Sequence, residues 1–419
     1  MKIAFFVTEF PSISETFILN QITGLLDRGH EVTIYARTPQ ARPLVHLDVE
    51  KYHLLDRTFY CGPYRTIPPN RFLRLIKAIF YMINNYNNKS VPYKKLLMVI
   101  KSEKKAASLS FLYQITTFLS RGGIHSHDIV HCHFGPNGNL GAWLKDLGII
   151  EGKFVTTFHG YDVSRYVKEK GSNVYDFLFK TGDLFLPISE RFKEKLIQLG
   201  CDKQRIAVHP MGVDTSRFLF TPRKPREDGK VRILTIARLV EKKGVQYGIQ
   251  ALAKVLKKYP HLEYKIAGDG PSKTELKSLI DGLNVNGHVK LLGWKRHEEI
   301  VELMRNADIL LAPSVTGKDG DQEGIPVVLM EALAQGLPVL STQHSAIPEL
   351  VQDGKFGLLV PERDVDALAE KLEYLIEHPE RWSEMGRAGR DYVTIYYNID
   401  KLNDQLANLY RRLLDGELP

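Results

Sequence analysis

Short β-branched and aromatic runs alternate with helical segments from one end of the chain to the other. This alternation is typical of βαβ units, whose parallel strands are joined by helices. Six strands are predicted in the first half, at 2–7, 31–36, 128–133, 154–158, 184–187 and 205–209. Six more are predicted in the second half, at 231–237, 263–267, 289–292, 309–312, 338–341 and 357–360. We therefore predict an α/β protein with two doubly wound parallel sheets.

Residues 218–230 separate the two halves and are rich in proline and charge but poor in apolar side chains. Such a composition is typical of a linker. A chain of 419 residues is also too long for one hydrophobic core. We predict an N-terminal domain of residues 1–217 and a C-terminal domain of residues 218–395. Because open α/β sheets bind ligands outside the carboxyl ends of their strands, functional side chains are expected in the loops that follow strands.

The net charge of +8 is concentrated in a predicted helical insertion near 65–120. Between Arg65 and Lys105 the chain has ten Lys or Arg residues and one acid, Glu103, interleaved with bulky apolar residues. Basic and apolar residues in this mixture suit contact with an anionic membrane surface. An ordinary solvated insertion with a basic outer face is the alternative. No motif of a nucleic-acid-binding protein accompanies the charge, so no nucleic-acid partner is expected.

The compartment is predicted from cysteine usage and the N-terminus. Three widely spaced cysteines argue against a disulfide framework and favour a reducing compartment. The first apolar run meets Glu9 and Pro11 too early for a signal peptide, and no run reaches the ~18 uncharged apolar residues that a membrane span needs. A cytoplasmic location is expected, with peripheral contact at the inner face of the membrane as a further possibility.

The loop and helix from Ala312 to Gly336 contain two carboxylates of interest. The predicted helix is apolar on nearly every side, and Glu331 is its one ionisable residue. A buried carboxylate needs partners, which a ligand with adjacent hydroxyls, such as ribose, or a structural Arg or Lys would supply. Glu323 precedes this helix, and Gly324 is predicted to let a ligand approach the backbone. The helix N-terminus offers free N–H groups suited to a phosphate.

Two further loops follow predicted strands. Arg238 and Lys243 come after the strand at 231–237, where two cations suit a diphosphate leaving group, although solvated surface charge is the alternative. His159 and Asp162 follow the strand at 154–158 and are expected to reach the crevice. A single histidine is more often a satisfied structural residue than a catalytic one, but the position of His159 after a strand makes the two interpretations about equally favoured.

Several motifs in this order resemble glycosyltransferase family 4, the retaining enzymes of the GT-B fold. The segment EGIPVVLME is similar to the family's E-x7-E element, and ARLVEKKG to its phosphate-binding loop. YKIAGDGP, PMGVD, AIPELV and TTFHGYD are similar to further family blocks. FPSISETFI, VHCHFG and TGKDGDQEGIP resemble bacterial exopolysaccharide transferases of the colanic acid and amylovoran type, which act on lipid-linked sugars.

The resemblance implies two Rossmann-like domains facing across a cleft, with a C-terminal helix, residues 396–419, packing back on the N-terminal domain. It implies that Glu331 holds the ribose hydroxyls and Glu323 the donor sugar. Arg238 and Lys243 would hold the diphosphate, and His159 would lie beside the transferring sugar. The backbone of Gly324, Ile325, Pro326 and Val327 would contact the donor, with N–H groups from each of these residues except Pro326, which has none. The family needs no metal and no cofactor, and Asp319 and Asp321 are not assigned to a metal site.

The first loop departs from the family pattern, which often has a glycine pair there. This chain has Ser14, Glu15 and Thr16 instead, with Ser14 a plausible N-cap of the following helix. These three residues and Asp162 are candidate acceptor or cleft residues.

The expected function is retaining transfer of a hexose from a nucleoside diphosphate sugar to a saccharide acceptor, and the resemblance implies that this acceptor is lipid-linked. A UDP-sugar is favoured over a GDP-sugar. His159, Glu323, Arg238 and Lys243 are the predicted catalytic residues. Two alternatives stay open: an epimerase-like GT-B enzyme, and a GT-B protein that binds sugar or lipid without catalysis.

Overall fold

The structure, a computed structural model, describes residues 1–12, 15–39, 46–62, 70, 72–74, 76–77, 80, 114–115, 118 and 125–417. Within these ranges the chain forms two six-stranded parallel sheets with helices packed around them. The predicted α/β class with two doubly wound sheets is confirmed.

The N-terminal sheet is built around its first strand. Its strands are Lys2–Phe10 (β1), Glu31–Pro39 (β2), Thr58–Tyr60 (β3), His125–His133 (β4), Ile150–Phe158 (β5) and Leu184–Pro187 (β6). The helices are Thr16–Asp27 (α1), Leu47–Lys51 (α2), Gly135–Asp146 (α3), Arg165–Lys170 (α4), Asp176–Thr181 (α5) and Glu190–Gln198 (α6). The strand order is β3-β2-β1-β4-β5-β6. This is the Rossmann order, in which the chain winds outward in both directions from the centre.

The C-terminal sheet repeats this topology. Its strands are Val231–Ile236 (β7), Leu262–Ala267 (β8), Val289–Gly293 (β9), Ile309–Ala312 (β10), Val339–Thr342 (β11) and Gly357–Val360 (β12). The helices are Val245–Val255 (α7), Lys273–Gly282 (α8), His297–Arg305 (α9), Val327–Gln335 (α10), Ile347–Leu350 (α11), Val365–Glu377 (α12), Arg381–Tyr396 (α13) and Ile399–Leu414 (α14). The order β12-β11-β10-β7-β8-β9 again has the first strand of the sheet at its centre.

The central strands are buried on both faces. In β1 the residues from Ile3 to Val7 are all buried, and β11 is buried along its whole length, as is β12 although it lies at the edge of its sheet. Strands covered by helices on both faces read as continuous apolar runs, not as alternating patterns. This burial explains why the strands are visible in the sequence as short apolar blocks.

The last helix returns to the N-terminal domain, as expected. Leu406 and Tyr410 of α14 are buried in one hydrophobic cluster with Ile18 and Ile22 of α1. Arg28 at the end of α1 adds an ion pair to Asp404, 2.7 Å away. The predicted domain boundaries at 217/218 and 395/396 stay predictions.

One predicted strand is absent from the structure, and one strand of the structure was not predicted. Residues 205–209 form no strand: the chain makes a 3₁₀ turn at Lys203–Arg205, and Ile206 forms only an isolated bridge to Phe185. In contrast, β3 was not predicted, because three residues are too short to show a pattern.

The linker, residues 218–230, contains no helix or strand but is anchored to the C-terminal domain. The guanidinium of Arg223 is buried and donates to the carbonyls of Arg305 and Gln335. Arg226 forms an ion pair with Asp308. The proline- and charge-rich composition therefore belongs here to a well-packed connection.

Most of the predicted basic insertion, near 65–120, lies outside the described residues. Of its apolar side chains that are described, Phe72, Leu73 and Ile76 are exposed, whereas Ile115 and Phe118 are buried in the N-terminal core. No helix in the described ranges combines the length and the apolar character needed to cross a bilayer.

Candidate active site

A cavity of about 1710 Å³ lies between the carboxyl edges of the two sheets. Its N-terminal wall comprises the end of β1 and the starts of α1 and α2. Its C-terminal wall comprises the loops after β7, β8 and β9 and the first turns of α10. This is the position at which open α/β sheets bind ligands, and a cavity of this size accommodates a nucleotide sugar together with an acceptor.

Glu331 projects from α10 into this cavity. In the described part of the chain its carboxylate makes no ion pair and no hydrogen bond, and burial raises its pKa from 4.5 to about 7. No described Arg or Lys therefore serves as the structural partner of Glu331, which was one of the two alternatives. A hydroxyl-rich ligand would supply the missing partners.

Arg238 lies just after β7 and lines the same wall of the cavity. Its side chain is exposed and has no ion-pair partner among the described residues. An exposed guanidinium at the carboxyl edge of the sheet is available for bidentate contact with a phosphate.

Lys243 is part of a one-turn 3₁₀ helix, Glu241–Lys243, that follows Arg238. Its Nζ lies 2.9 Å from Oε1 of Glu323, whose side chain is nearly buried. Burial raises the pKa of the Glu323 carboxyl, but the positive charges of Lys243 and Lys242 lower it by more, and the net pKa lies below the ordinary value. Glu323 is therefore ionised, and two predicted catalytic residues form one ion pair.

The polar loop between β10 and α10 is held by contacts to both domains. Asp319 pairs with Arg165 of α4 at 2.8 Å, and Asp321 pairs with Lys242 at 3.0 Å. Lys195 of α6 donates to Gln322 at 2.6 Å. Both aspartates of the Asp-Gly-Asp sequence thus take part in ion pairs.

Metal independence stays a prediction. Among the described residues no group of three or more His, Cys, Asp or Glu side chains is arranged to hold a metal ion.

Gly324 provides close packing between the domains. A Cβ at this position would lie 2.2 Å from the His159 carbonyl oxygen and 2.6 Å from Ile188. The side of Gly324 on which a Cβ would stand is therefore filled by the N-terminal domain, and contact of its backbone with a ligand stays a prediction. Of the other three backbone positions, Ile325 is buried in the core, Pro326 is the N-cap residue of α10, and Val327 lines the cavity.

His159 is almost buried at this junction and packs between the rings of Phe17 and Phe134. Burial, with a smaller contribution from His131, lowers the pKa of its imidazole to about 3, so the ring is neutral at physiological pH. Its Nε2 lies 3.0 Å from Nδ1 of His133.

The prediction that Asp162 faces the cleft is wrong. Its carboxylate is fully buried and accepts from the backbone N–H groups of His159, Gly160 and Gly135. Burial still raises the pKa of the Asp162 carboxyl, so the three bonds offset its burial in part, and they fix the loop. Asp162 therefore shapes the backbone that presents His159.

In the first loop, Glu15 and Thr16 line the cavity, whereas Ser14 lies outside the described residues. Glu15 occupies the N-cap position of α1 without a side-chain capping bond. Burial, and next the nearby charge of Glu9, raise the pKa of Glu15 to about 7. Its Oε2 is enclosed and has no hydrogen-bond partner.

Sequence reasoning missed two residues that support Glu323. Lys242 adds a second cation, and buried His344 accepts from the Glu323 backbone N–H through Nε2 at 3.0 Å. The adjacent lysines of EKKG and the position of His344 directly after β11 were available signals.

Gly244, next to Lys243, is expected to be intolerant of alanine. Its φ is +61°, and a Cβ would lie 1.9 Å from the Pro313 carbonyl oxygen. Gly29 is a matched control, since its φ is +74° but no atom lies within 4 Å of a Cβ there. Gly29→Ala should cost about 1 kcal/mol of unfolding free energy for the left-handed backbone, and Gly244→Ala about 2 kcal/mol more for the collision. Urea denaturation measures both values, and equal costs would contradict the close packing of this loop.

Two family models match the chain. The model described as Glycosyl transferases group 1 matches residues 218–392, and the model described as Glycosyltransferase Family 4 matches residues 89–217. WcaL of Salmonella typhimurium, a candidate glycosyltransferase of colanic acid biosynthesis, is 38% identical over 99% of this chain and 100% of its own. The amylovoran biosynthesis glycosyltransferase AmsK of Erwinia amylovora is 36% identical over 99% of this chain and 100% of its own.

A crystal structure of HepE from Anabaena, in complex with UDP and glucose, is similar in fold. The TM-score is 0.70 at 18% identity, and the match covers 97% of this chain and 98% of HepE. Two facing Rossmann-like domains with a cavity between them define the GT-B fold. The chain belongs to glycosyltransferase family 4, and it is a glycosyltransferase.

Proposed function

We propose that the protein transfers a hexose, with retention of anomeric configuration, from a nucleoside diphosphate sugar to a saccharide acceptor in exopolysaccharide biosynthesis. The observation that carries the proposal is the cavity between the two sheets, where Glu331 and Arg238 have no partner from the described chain. A carboxylate and a guanidinium are complementary to the two ends of a nucleoside diphosphate. The relatives WcaL and AmsK, with their names in colanic acid and amylovoran biosynthesis, support the biological setting.

In the donor half of the site, Glu331 accepts from the ribose hydroxyls and Arg238 contacts the diphosphate. Lys243 contributes the second cation, and Glu323 holds both this lysine and the donor sugar. The backbone N–H groups at the start of α10 face the phosphates. UDP is the favoured nucleotide because HepE, which has the same fold, was solved with UDP and glucose.

The proposed reaction uses no nucleophile from the enzyme. Its main requirement is stabilisation of the departing diphosphate. As the glycosidic bond breaks, negative charge develops on the leaving phosphate, and fixed cations directed at it lower the barrier. The acceptor hydroxyl attacks the same face of the sugar, and its proton passes to the leaving phosphate oxygen. Arg238 and Lys243 provide the positive charge that a metal ion supplies in other enzymes. The domains exclude water and so limit hydrolysis of the donor.

The acceptor occupies the N-terminal side of the cavity. The side chain of Glu15 lines the cavity, is partly exposed and has an oxygen, Oε2, without a partner, so its carboxyl group suits a hydrogen bond to a sugar hydroxyl, and Thr16 adds a second polar group. A lipid-linked acceptor is favoured because Phe72, Leu73 and Ile76 are exposed in the segment whose basic residues suit an anionic membrane.

Incubating the purified protein with UDP- and GDP-hexoses, with and without saccharide acceptors, tests the proposal. We expect transfer from one donor, a product with the donor's anomeric configuration by NMR, and activity in the presence of EDTA. Epimerised nucleotide sugar formed from donor alone would favour the epimerase alternative. Donor binding without any turnover, across acceptors that include lipid-linked saccharides, would favour a non-catalytic protein.

A further inference from the structure

Three buried imidazoles form a stack that ends at His159. The His131 and His133 ring centroids lie 4.5 Å apart, and those of His133 and His159 lie 5.2 Å apart, with interplanar angles of 25° and 24°. His131 and His133 are fully buried. His131 and His133 belong to the VHCHFG segment, to which no role has been assigned so far.

Both rings of the last pair are neutral. Burial, and next the other histidines, lower the pKa of His133 well below its ordinary value, and burial lowers that of His159 to about 3. The 3.0 Å contact between His133 Nδ1 and His159 Nε2 therefore contains one proton, and a neutral imidazole has one N–H in all. Whichever ring donates, the tautomers of the two histidines are linked.

The surroundings of His133 Nε2, the ring nitrogen that does not face His159, determine the direction of this hydrogen bond. His133 Nε2 is enclosed and has no hydrogen-bond partner. An enclosed N–H without an acceptor costs more than an unused lone pair, and such N–H groups are rare in folded proteins. The His133 proton therefore belongs on Nδ1, which donates to His159 Nε2.

We propose that His133 is a positioning residue that holds His159 as the Nδ1–H tautomer, so that His159 offers a hydrogen-bond donor to the substrate. His159 Nδ1 makes no hydrogen bond to any described residue and, unlike His133 Nε2, is not enclosed. A donor at this position suits an oxygen of the sugar or of the phosphate. The contact of His159 with the substrate rests on the proposed glycosyl transfer, whereas the assignment of the His159 tautomer does not.

His131 fixes the orientation of the stack. It contacts the Tyr410 hydroxyl through Nδ1 and the Thr157 hydroxyl, 2.7 Å away, through Nε2. Phe5 stacks on His133 at 5.5 Å. Both nitrogens of His131 are bonded, and His133 is fully buried against His131 and Phe5, so the His133 ring is held in place. The returning helix α14, which contains Tyr410, thus contributes to the orientation of His159 through His131 and His133.

The tautomer can be measured on the unmodified protein. Histidine-selective ¹⁵N labelling and two-bond ¹H–¹⁵N correlation spectra distinguish the Nδ1–H form, the Nε2–H form and imidazolium, and a His159→Gln variant assigns the resonance. We expect His159 to be the neutral Nδ1–H form from pH 6 to 8. An Nε2–H form or an imidazolium at His159 would overturn the proposal, whatever the protein's activity.

Variants of His133 test the consequence for transfer. Asn retains an amide donor near the Nδ1 position, whereas Leu removes it. We expect His133→Leu to lower kcat about 10- to 100-fold, with the donor KM changed less than about threefold, and His133→Asn to retain most of the activity. His209→Leu is the matched control, since this histidine is also buried and close enough to act electrostatically on His133 but makes no hydrogen bond or ring contact with His159. Equal losses in His133→Leu and His133→Asn, or in His209→Leu, would show a packing role only and reject the positioning role.

Discussion

Replacing Lys243 with alanine is expected to lower kcat for sugar transfer by about 10²- to 10³-fold, equivalent to about 3–4 kcal/mol of barrier. The loss follows from removing a fixed cation where the leaving diphosphate gains charge. Removal also leaves the nearly buried Glu323 without the ammonium that lies 2.9 Å from it. Glu323 would then be protonated more easily, so the variant's residual activity should also fall more steeply towards acidic pH. Steady-state kinetics at saturating donor between pH 6 and 8 measure both effects.

Lys242→Ala is the control for Lys243→Ala. Lys242 belongs to the same 3₁₀ turn and forms its own partly buried ion pair with Asp321 at 3.0 Å. Its loss should destabilise the loop to a similar extent, because breaking either pair leaves a poorly solvated carboxylate. Transfer should nevertheless stay within about tenfold of the wild type, since Lys242 is not assigned to the diphosphate. Similar kinetic losses in the two variants would reject the specific assignment of Lys243.

The strands were predictable wherever burial on both faces left an apolar block, as in β1 and β10. Prediction failed where a segment runs beside a sheet without joining it fully, as at Ile206, and where a strand has only three residues, as in β3. In both cases the outcome depends on pairing with a distant strand, which local composition does not encode.

The candidate site was predictable at the level of loops, because strand ends locate them at one edge of each sheet. The pairing of side chains between loops was not. Lys243 pairs with Glu323, eighty residues away, and the backbone of Gly324 meets that of His159 in the other domain. The position of Asp162 after β5 predicts that it faces the cleft, yet its carboxylate accepts hydrogen bonds from three backbone N–H groups of its own domain. Such contacts depend on how the domains pack.

Replacing Glu331 with glutamine is expected to stabilise the ligand-free protein while weakening nucleotide binding. Burial raises the pKa of the Glu331 carboxyl from 4.5 to about 7. A carboxyl with a raised folded-state pKa favours folding below its unfolded pKa, and this contribution is lost as pH rises through the folded value. At pH 8 the ionised group therefore costs up to about 3 kcal/mol, which the neutral amide avoids. At pH 4.5 the two proteins should be nearly equal in stability.

The same ionised group is what the proposed ribose contact requires. The affinity of the wild type for UDP should therefore rise about tenfold between pH 6 and pH 8, as the carboxyl loses its proton, and that of Glu331→Gln should stay constant. Urea denaturation with and without UDP or GDP, together with calorimetry, measures both quantities.

Glu298→Gln is the control, because it neutralises an exposed carboxylate of the same cavity and should change neither the stability nor the nucleotide affinity. A wild type and a Glu331→Gln variant with equal stability at pH 8 and equal nucleotide affinity would contradict both the burial of this carboxyl and its role. If Glu331→Gln instead gains stability at pH 8 and loses affinity for the nucleotide, the cost of burying the ionised Glu331 is offset in the wild type by ligand binding.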